Sequence, residues 1–425
     1  MSTLIVHGGR PLAGNIKAGG SKNAAFPVLA ATLLSSAPVT VSNVPNIRDI
    51  NDTLQILEAL GARVERANDV VRVDPTGVEA YRVPYELGSK IRGSYYFLGP
   101  LLGRFGVAQI PFPGGCSVGE RPIDQHLRVM EALGAQVSVD SRFITVSCEH
   151  LKGADYSFPF PSRGGTINLL LAALKAEGET VIRNANYSPE ARCLINFVRH
   201  MGGRVTVEPH SDYHATLTVE GKAALAGREF KVISDKIEAA TLLLGGLITE
   251  GDVRVDDLEL EHIQPFLHKL GEIGIEVVGE GGSVSTRFNG EKFRPVDVIS
   301  GLVAPAIDAD WEPILAAFLA AHVEGASRIE DGINSERHSR FLPQFADFGC
   351  SVEVTNHTQA VINGGRQIVP AKVTCKEIRG GAALMLLALR AEGRSELSNA
   401  EQIDRGYEQL EQKLVKLGAD IQRIV

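Results

Sequence analysis

The feature that most constrains this chain is a junction that recurs six times: a helical stretch ends at a glycine, and an alternating apolar segment follows at once. The first copy reads Ile56-Leu57-Glu58-Ala59-Leu60-Gly61-Ala62-Arg63-Val64, and the others run over 130–137, 201–205, 270–277, 345–352 and 417–421. The junction glycines are Gly61, Gly134, Gly202, Gly274, Gly349 and Gly418, with successive spacings of 73, 68, 72, 75 and 69 residues. A helix that turns sharply into a strand commonly places a left-handed residue just past its end, where a Cβ would clash, so glycine belongs there. A near-constant period of this length is the signature of one supersecondary unit repeated along the chain.

A second marker falls between the junctions. Glu177-Gly178, Glu250-Gly251, Glu324-Gly325 and Glu392-Gly393 each open a short alternating strand, and the same beat sits at Ala37-Pro38 and Phe105-Gly106. Stretches that are apolar nearly all round precede these strands, at 24–34, 167–176, 239–248, 314–323 and 382–391. Such helices belong inside a domain, not on its surface. Each unit therefore predicts strand, buried helix, strand, amphipathic helix, strand, strand. One unit cannot cover its own apolar surface, so units must pack together. A chain of 425 residues also exceeds the roughly 250–300 that one core supports, so three units in each of two α/β domains are expected.

A net charge of -8 excludes the broad basic footprint of a nucleic-acid binder, so any anionic ligand must be met locally. The five cysteines are odd in number and lack a C-x-x-C pair, which argues for reduced thiols and against a zinc or disulfide framework. The N-terminal residues lack a signal-peptide pattern, and no apolar run reaches about 18 residues, so a cytoplasmic protein without membrane contact is expected.

Three kinds of segment carry chemistry. In 17–24, Gly19-Gly20-Ser21-Lys22-Asn23 precedes the first buried helix, and small residues with a lysine at a helix N-terminus can cradle an oxyanion. The spacing is not that of a P-loop, and a tight turn with a solvated lysine is the plain alternative. In 111–124, three glycines and flanking prolines make a loop that exposes Cys116 beside Arg121, a cation able to lower a thiol pKa or hold an anion. Local composition leaves open whether Cys116 is chemical; Cys148, Cys193, Cys350 and Cys375 are expected to pack. Finally, Arg92, Arg163, Arg379 and Arg405 stand at unit junctions beside glycine, where forked guanidinium contacts suit a carboxylate or phosphate. Asp235 and Asp310 are the acid-base candidates, and either could equally be a helix cap.

With these motifs in place, Gly19-Gly20-Ser21-Lys22-Asn23-Ala24-Ala25, Pro113-Gly114-Gly115-Cys116-Ser117-Val118-Gly119-Glu120-Arg121-Pro122-Ile123-Asp124 and Ile403-Asp404-Arg405-Gly406-Tyr407-Glu408 resemble the UDP-N-acetylglucosamine 1-carboxyvinyltransferase family of enolpyruvyl transferases. The resemblance covers essentially the whole chain. It implies two inside-out α/β domains of three βαβαββ repeats each, 21–231 and 1–20 plus 232–425, with the active site in the cleft between them. It also implies transfer of the enolpyruvyl group of phosphoenolpyruvate to a UDP-sugar, with no metal or organic cofactor, in a monomer or weak homo-oligomer.

By position, the resemblance makes Cys116 the general acid, open to covalent adducts and to fosfomycin, and Asp310 the base. Lys22, Arg121, Arg405 and Arg379 would hold phosphoenolpyruvate, and Asn23 the acceptor sugar. Arg92, Pro122, Ile123, Asp124, Ser162, Arg163, Gly164, Asp235, Ile333 and Arg337 complete the substrate contacts it implies. Two departures fall on the acceptor side: Phe160 stands where the family has a diphosphate-contacting lysine, and Asp308-Ala309-Asp310-Trp311-Glu312-Pro313 replaces a Pro-Thr-Asp run. A different uridine nucleotide as acceptor is therefore the second reading, and a non-catalytic nucleotide-binding regulator the third.

Overall fold

The computed structural model describes residues 2–112, 114, 122–290, 292–301 and 306–424. The described residues divide into two compact units, one holding 20–114 and 122–233, the other 2–19 and 234–424. Each unit has its own apolar core.

The six junction glycines all take positive φ, between 82° and 107°, as the sequence predicts. Between them the expected order recurs. In the first repeat, helix Lys22–Ala31 is followed by strand Val39–Ser42, amphipathic helix Arg48–Ala59, and the hairpin Arg63–Ala67 with Val70–Asp74. These three strands form an antiparallel sheet, and Glu229–Lys231 adds a fourth strand parallel to Val39–Ser42. Four other sheets repeat that arrangement of three antiparallel strands and one parallel edge. In the second repeat the parallel edge shrinks to a single bridge, Arg82 to Gln109.

The core of the unit containing 234–424 is three mutually packed helices, Lys236–Ile248, Glu312–His322 and Ile378–Arg390. Every residue of Lys236–Ile248 is buried, and in the other two only the last residue is half-buried. In the other unit, Leu98–Phe105 packs on Arg163–Ala173, and Lys22–Ala31 joins through the 3-10 turn Arg92–Phe97 and helix Pro189–His200. Here burial is broken at the N-terminal ends alone for two helices: Asn23 in Lys22–Ala31, and Arg163 and Gly164 in Arg163–Ala173. An apolar-all-round helix thus meets a polar setting at the end where its N–H groups lack partners.

Two elements depart from the pattern. The fifth amphipathic helix is a short helix, Arg337–Phe341, continued as the 3-10 turn Leu342–Phe348. Pro343 explains the break, because it has no N–H to donate and its ring clashes with the preceding turn. In the sixth repeat the chain's own N-terminal strand, Thr3–Gly8, takes the central place, antiparallel to both Gly393–Ser398 and Asp420–Ile424.

The junction geometry is testable where sterics do not interfere. A Cβ on Gly134 would find only the Cys148 sulfur, at 4.0 Å, so Gly134→Ala isolates the cost of positive φ. Urea unfolding should show a loss of about 1–2 kcal/mol. On Gly61 a Cβ would also lie 2.6 Å from the Gly77 carbonyl oxygen, and the loss should be larger.

Candidate functional site

The buried helices explain where the chemistry collects. Ser21 caps Lys22–Ala31, its side chain accepting from Ala24 N–H at 3.3 Å. Ser162 caps Arg163–Ala173 through Gly165 N–H. Asp235 caps Lys236–Ile248 by accepting from Ile237 and Glu238 N–H at 2.8 and 3.1 Å, so of the two acid-base candidates it is the helix cap. Burial raises its pKa, against the lowering pull of Arg379. Glu377 caps Ile378–Arg390 through the N–H groups of Arg379 and Gly380.

In the unit containing 20–114 and 122–233, Lys22 is nearly buried, with its Nζ 3.8 Å from the Asp49 carboxylate and 6.0 Å from the centre of the Phe26 ring. The adjacent glycine serves packing: a Cβ on Gly20 would lie 1.7 Å from the Asn43 carbonyl oxygen. Asn23 and Arg92 are half-buried, and the Arg92 guanidinium sits 4.9 Å from the Tyr95 ring centre. Asp124 opens helix Asp124–Ala132 and accepts from the Gln125 amide at 2.7 Å; Pro122 is exposed and Ile123 half-buried. Arg163 reaches to 3.8 Å from the carboxylate of buried Glu190. Phe160 is exposed.

His126 and Asn168 were not singled out by sequence, yet they underlie this region. Asn168 is buried inside helix Arg163–Ala173. Its Oδ1 accepts from Gly99 N–H at 3.0 Å, which leaves its Nδ2 to donate to the Tyr95 carbonyl at 3.1 Å and to His126 Nδ1 at 2.7 Å. His126 Nδ1 is then an acceptor, and the ring carries its proton on Nε2. The ring lies 4.7 Å from the Tyr95 ring, and a Cβ on Gly164 would fall 2.3 Å from its Cε1, so Gly164 is glycine because His126 is there. The available signals were a histidine two residues after Asp124 and an asparagine within Thr166-Ile167-Asn168-Leu169-Leu170.

In the unit containing 234–424, Asp310 is bracketed. Arg337 Nη2 and Arg379 Nη2 each stand 3.0 Å from one of its carboxylate oxygens. Arg337 also donates to the Ala309 carbonyl at 2.5 Å and stands 3.5 Å from fully buried Asp331. Burial opposes the charge of both arginines, but the facing Asp310 overcomes it and raises their pKa, with Glu377 and Asp331 adding for Arg337 and Tyr407 and Asp235 for Arg379. The Arg379 guanidinium is 4.9 Å from the Tyr407 ring centre, and the Tyr407 hydroxyl is 3.0 Å from that of Thr241. Asp331 shapes the following loop by accepting from Ile333 and Asn334 N–H, both at 2.9 Å, which leaves Ile333 exposed.

Three sequence expectations are corrected or bounded. Arg92, Arg163 and Arg379 do stand at the start of helical segments, but Arg405 ends the 3-10 turn Ala400–Arg405 and is not equivalent to them. Trp311, which the sequence placed in the departure at 308–313, belongs to the core. It is wholly buried, packs 5.5 Å from Phe266 and donates its indole N–H to the Lys236 carbonyl at 3.3 Å, while Lys236 pairs with Asp308 at 3.0 Å. Cys116 and Arg121 lie outside the described residues. Of the other cysteines, Cys193 is buried, Cys148 is half-buried, and burial pushes Cys350 and Cys375 up to about 12, so those two thiols stay protonated. Among the described residues no group of three histidines, cysteines or carboxylates could hold a metal ion, and no helix is long and apolar enough to cross a membrane.

Residues 6–414 match the family described as EPSP synthase (3-phosphoshikimate 1-carboxyvinyltransferase). The chain is 40% identical to the UDP-N-acetylglucosamine 1-carboxyvinyltransferase of Chlorobium limicola, over 100% of this chain and 98% of that one. It is 38% identical to that of Halothermothrix orenii over the full length of both. Among solved structures, the enolpyruvyl transferase NikO from Streptomyces tendae superposes with a TM-score of 0.89 at 24% identity, over 99% of this chain and 98% of that one. An EPSP synthase from Acinetobacter baumannii superposes at 0.74 with 17% identity, over 100% of both.

His126 supplies a pH prediction. Burial, then the charge of Arg92, lowers its pKa to about 3 from 6.5. The unfolded chain takes up this proton below pH 6.5 and the folded chain does not, so the group costs stability as pH falls from 6.5 toward 3, by about 1.4 kcal/mol per unit. NMR of the imidazole should show no titration between roughly pH 5 and 8, and Asn168→Asp should bring the transition into that range. A wild-type midpoint near 6.5 contradicts the assignment.

Proposed function

The chain belongs to the EPSP synthase (3-phosphoshikimate 1-carboxyvinyltransferase) family, and from that premise we propose that it moves the enolpyruvyl group of phosphoenolpyruvate to the 3'-hydroxyl of UDP-N-acetylglucosamine with release of phosphate. This is the reaction that opens peptidoglycan precursor synthesis. The observation that carries the proposal is end-to-end similarity to relatives named for that reaction. The bracketed Asp310 cluster supports it from geometry.

In the proposed reaction the acceptor oxygen bonds to C2 of phosphoenolpyruvate while Cys116 gives a proton to C3, and Asp310 takes the proton of the attacking hydroxyl. The tetrahedral adduct then loses a proton from C3 and phosphate from C2, which restores the double bond on the acceptor. Lys22, Arg121, Arg379 and Arg405 are assigned to the phosphate and carboxylate, where fixed cations oppose the charge that builds on the leaving group. Asn23 is assigned to the acceptor sugar, with Arg92, Pro122, Ile123, Asp124, Ser162, Arg163, Gly164, Asp235, Ile333 and Arg337 completing the substrate contacts. The domains proposed to carry the two halves are 21–231 and 1–20 with 232–425.

Each Asp310 oxygen accepts from one arginine and keeps a second lone pair, which is where the hydroxyl proton is assigned.

A second acceptor remains a reading in its own right, because Phe160 is exposed at the position where a diphosphate-binding lysine is expected and Arg163 is paired toward Glu190. Phosphate release from phosphoenolpyruvate should depend on UDP-N-acetylglucosamine, and a panel of uridine nucleotides without the amino sugar should give at least about tenfold lower kcat/KM. The reverse ranking selects the second reading. Mass spectrometry should find a phosphoenolpyruvate adduct that Cys116→Ser abolishes along with fosfomycin labelling; a Cys116→Ser variant that changes neither favours a regulator that only binds nucleotide.

A further inference from the structure

Beneath the Asp310 bracket lies a second pair that the proposed reaction does not use. Glu312 and His338 are both fully buried, with His338 Nε2 3.3 Å from Glu312 Oε1. Glu312 is the first residue of helix Glu312–His322, two positions after Asp310; His338 follows Arg337 on the short helix Arg337–Phe341. The two elements that carry Asp310 and Arg337 are therefore joined twice, once at the bracket and once below it.

We propose that Glu312 and His338 are positioning residues for the Asp310–Arg337 pair: by sharing one proton they stay neutral as a pair, and so leave Arg337 held between Asp310 and the Ala309 carbonyl. This rests on reading Asp310 as the acceptor-side base.

Two arguments carry it. Burying two ionisable groups costs several kcal/mol each, and well-packed apolar residues in their place would be as stable or more so, so stability alone does not explain the pair. Arg337, moreover, is contested. Asp310 pulls it from one side, and Asp331, fully buried at the end of strand Gly325–Asp331, stands 3.5 Å away on another. A net negative charge on Glu312 and His338 would side with Asp331 and draw Arg337 off the base. With one proton between them no such charge exists.

The charged groups around the pair agree on where that proton stays. Facing it are Asp331 from its strand and Arg337 from the short helix, with Glu377 at the cap of Ile378–Arg390 and Asp310 acting on Arg337 in turn. Burial raises the Glu312 pKa despite the lowering effect of His338. Burial works against a charge on His338, but the Glu312 contact and charge, with Asp331, raise its pKa above 6.5 in spite of Arg337. Both shifts have the same sign: each group holds its proton to higher pH than it would in water, and the arrangement is lost as pH rises through the folded-state pKa.

The test uses the full chain and the variants Glu312→Gln and His338→Phe. The wild type should lose kcat/KM for the acceptor on an alkaline limb as the pair becomes anionic. Glu312→Gln, which cannot form that anion, should lack the limb while staying within about threefold of wild type at pH 7. His338→Phe removes the histidine's lowering effect on buried Glu312, which then holds its proton to higher pH, so this variant too should lose the alkaline limb, with KM for phosphoenolpyruvate within about twofold of wild type. NMR gives a readout without turnover: the His338 imidazole should titrate above 6.5 in the wild type and below it in Glu312→Gln. Should His338→Phe fail to fold, the isosteric Glu312→Gln still decides. An unchanged alkaline limb in that variant, or a wild-type His338 midpoint at or below 6.5, overturns the inference. If the wild type turns over no acceptor, the reading of function fails instead, and the NMR result alone judges the pair.

Discussion

The structure depends on one constraint: a helix that is apolar on every side has to be enclosed, yet its first turn presents N–H groups that must find acceptors. Lys236–Ile248 is the extreme case, with every residue buried. The side chains of Ser21, Ser162, Asp235 and Glu377 meet this need at four helices, and each sits within a few residues of an arginine or lysine. Polar and charged groups thus collect at the N-terminal ends as a condition of burying the helices at all. Helix N-termini also favour anions, so the places that folding makes polar are places where a phosphate or carboxylate is welcome.

Enclosure also sets how such groups can behave. Around Asp310 the charges alternate, from Asp308 and Lys236 through Asp310 with Arg337 and Arg379 to Asp331, and no member is stable there without its neighbours. Removing one partner leaves another charge buried and uncompensated, which is more damaging than removing both. A network of this kind has few arrangements available, which suits a base that must meet its substrate in one geometry.

Legibility in the sequence followed the range of the interaction. The six junction glycines were readable because positive φ is a local demand that few other residues meet. The enclosed helices were readable because composition around a helix is also local. Pairings across sequence were not. His126 and Asn168 are 42 residues apart, Glu312 and His338 are 26 apart, and nothing in either neighbourhood names its partner. Asp235 and Asp310 looked alike in sequence, each before an apolar stretch, and only their surroundings separate a cap from a bracketed carboxylate. Arg405 was grouped with the other arginines by its neighbouring glycine, a short-range likeness that the fold does not keep.

The strand Thr3–Gly8 lies between Gly393–Ser398 and Asp420–Ile424, so among the described residues an early strand has its two partners in segments made far later. At roughly 5–20 residues per second, it waits on the order of a minute before either neighbour exists. Over that interval the contiguous stretch from 20 to 233 can close its own core, including the parallel edge that Glu229–Lys231 gives to Val39–Ser42. The order of assembly is thereby written into the threading: the interrupted unit cannot finish its sixth sheet before the inserted one has had time to form. The exposed ladder groups of Thr3–Gly8 need guarding during synthesis, and a chain cut short near its C-terminus would present that strand as an open edge.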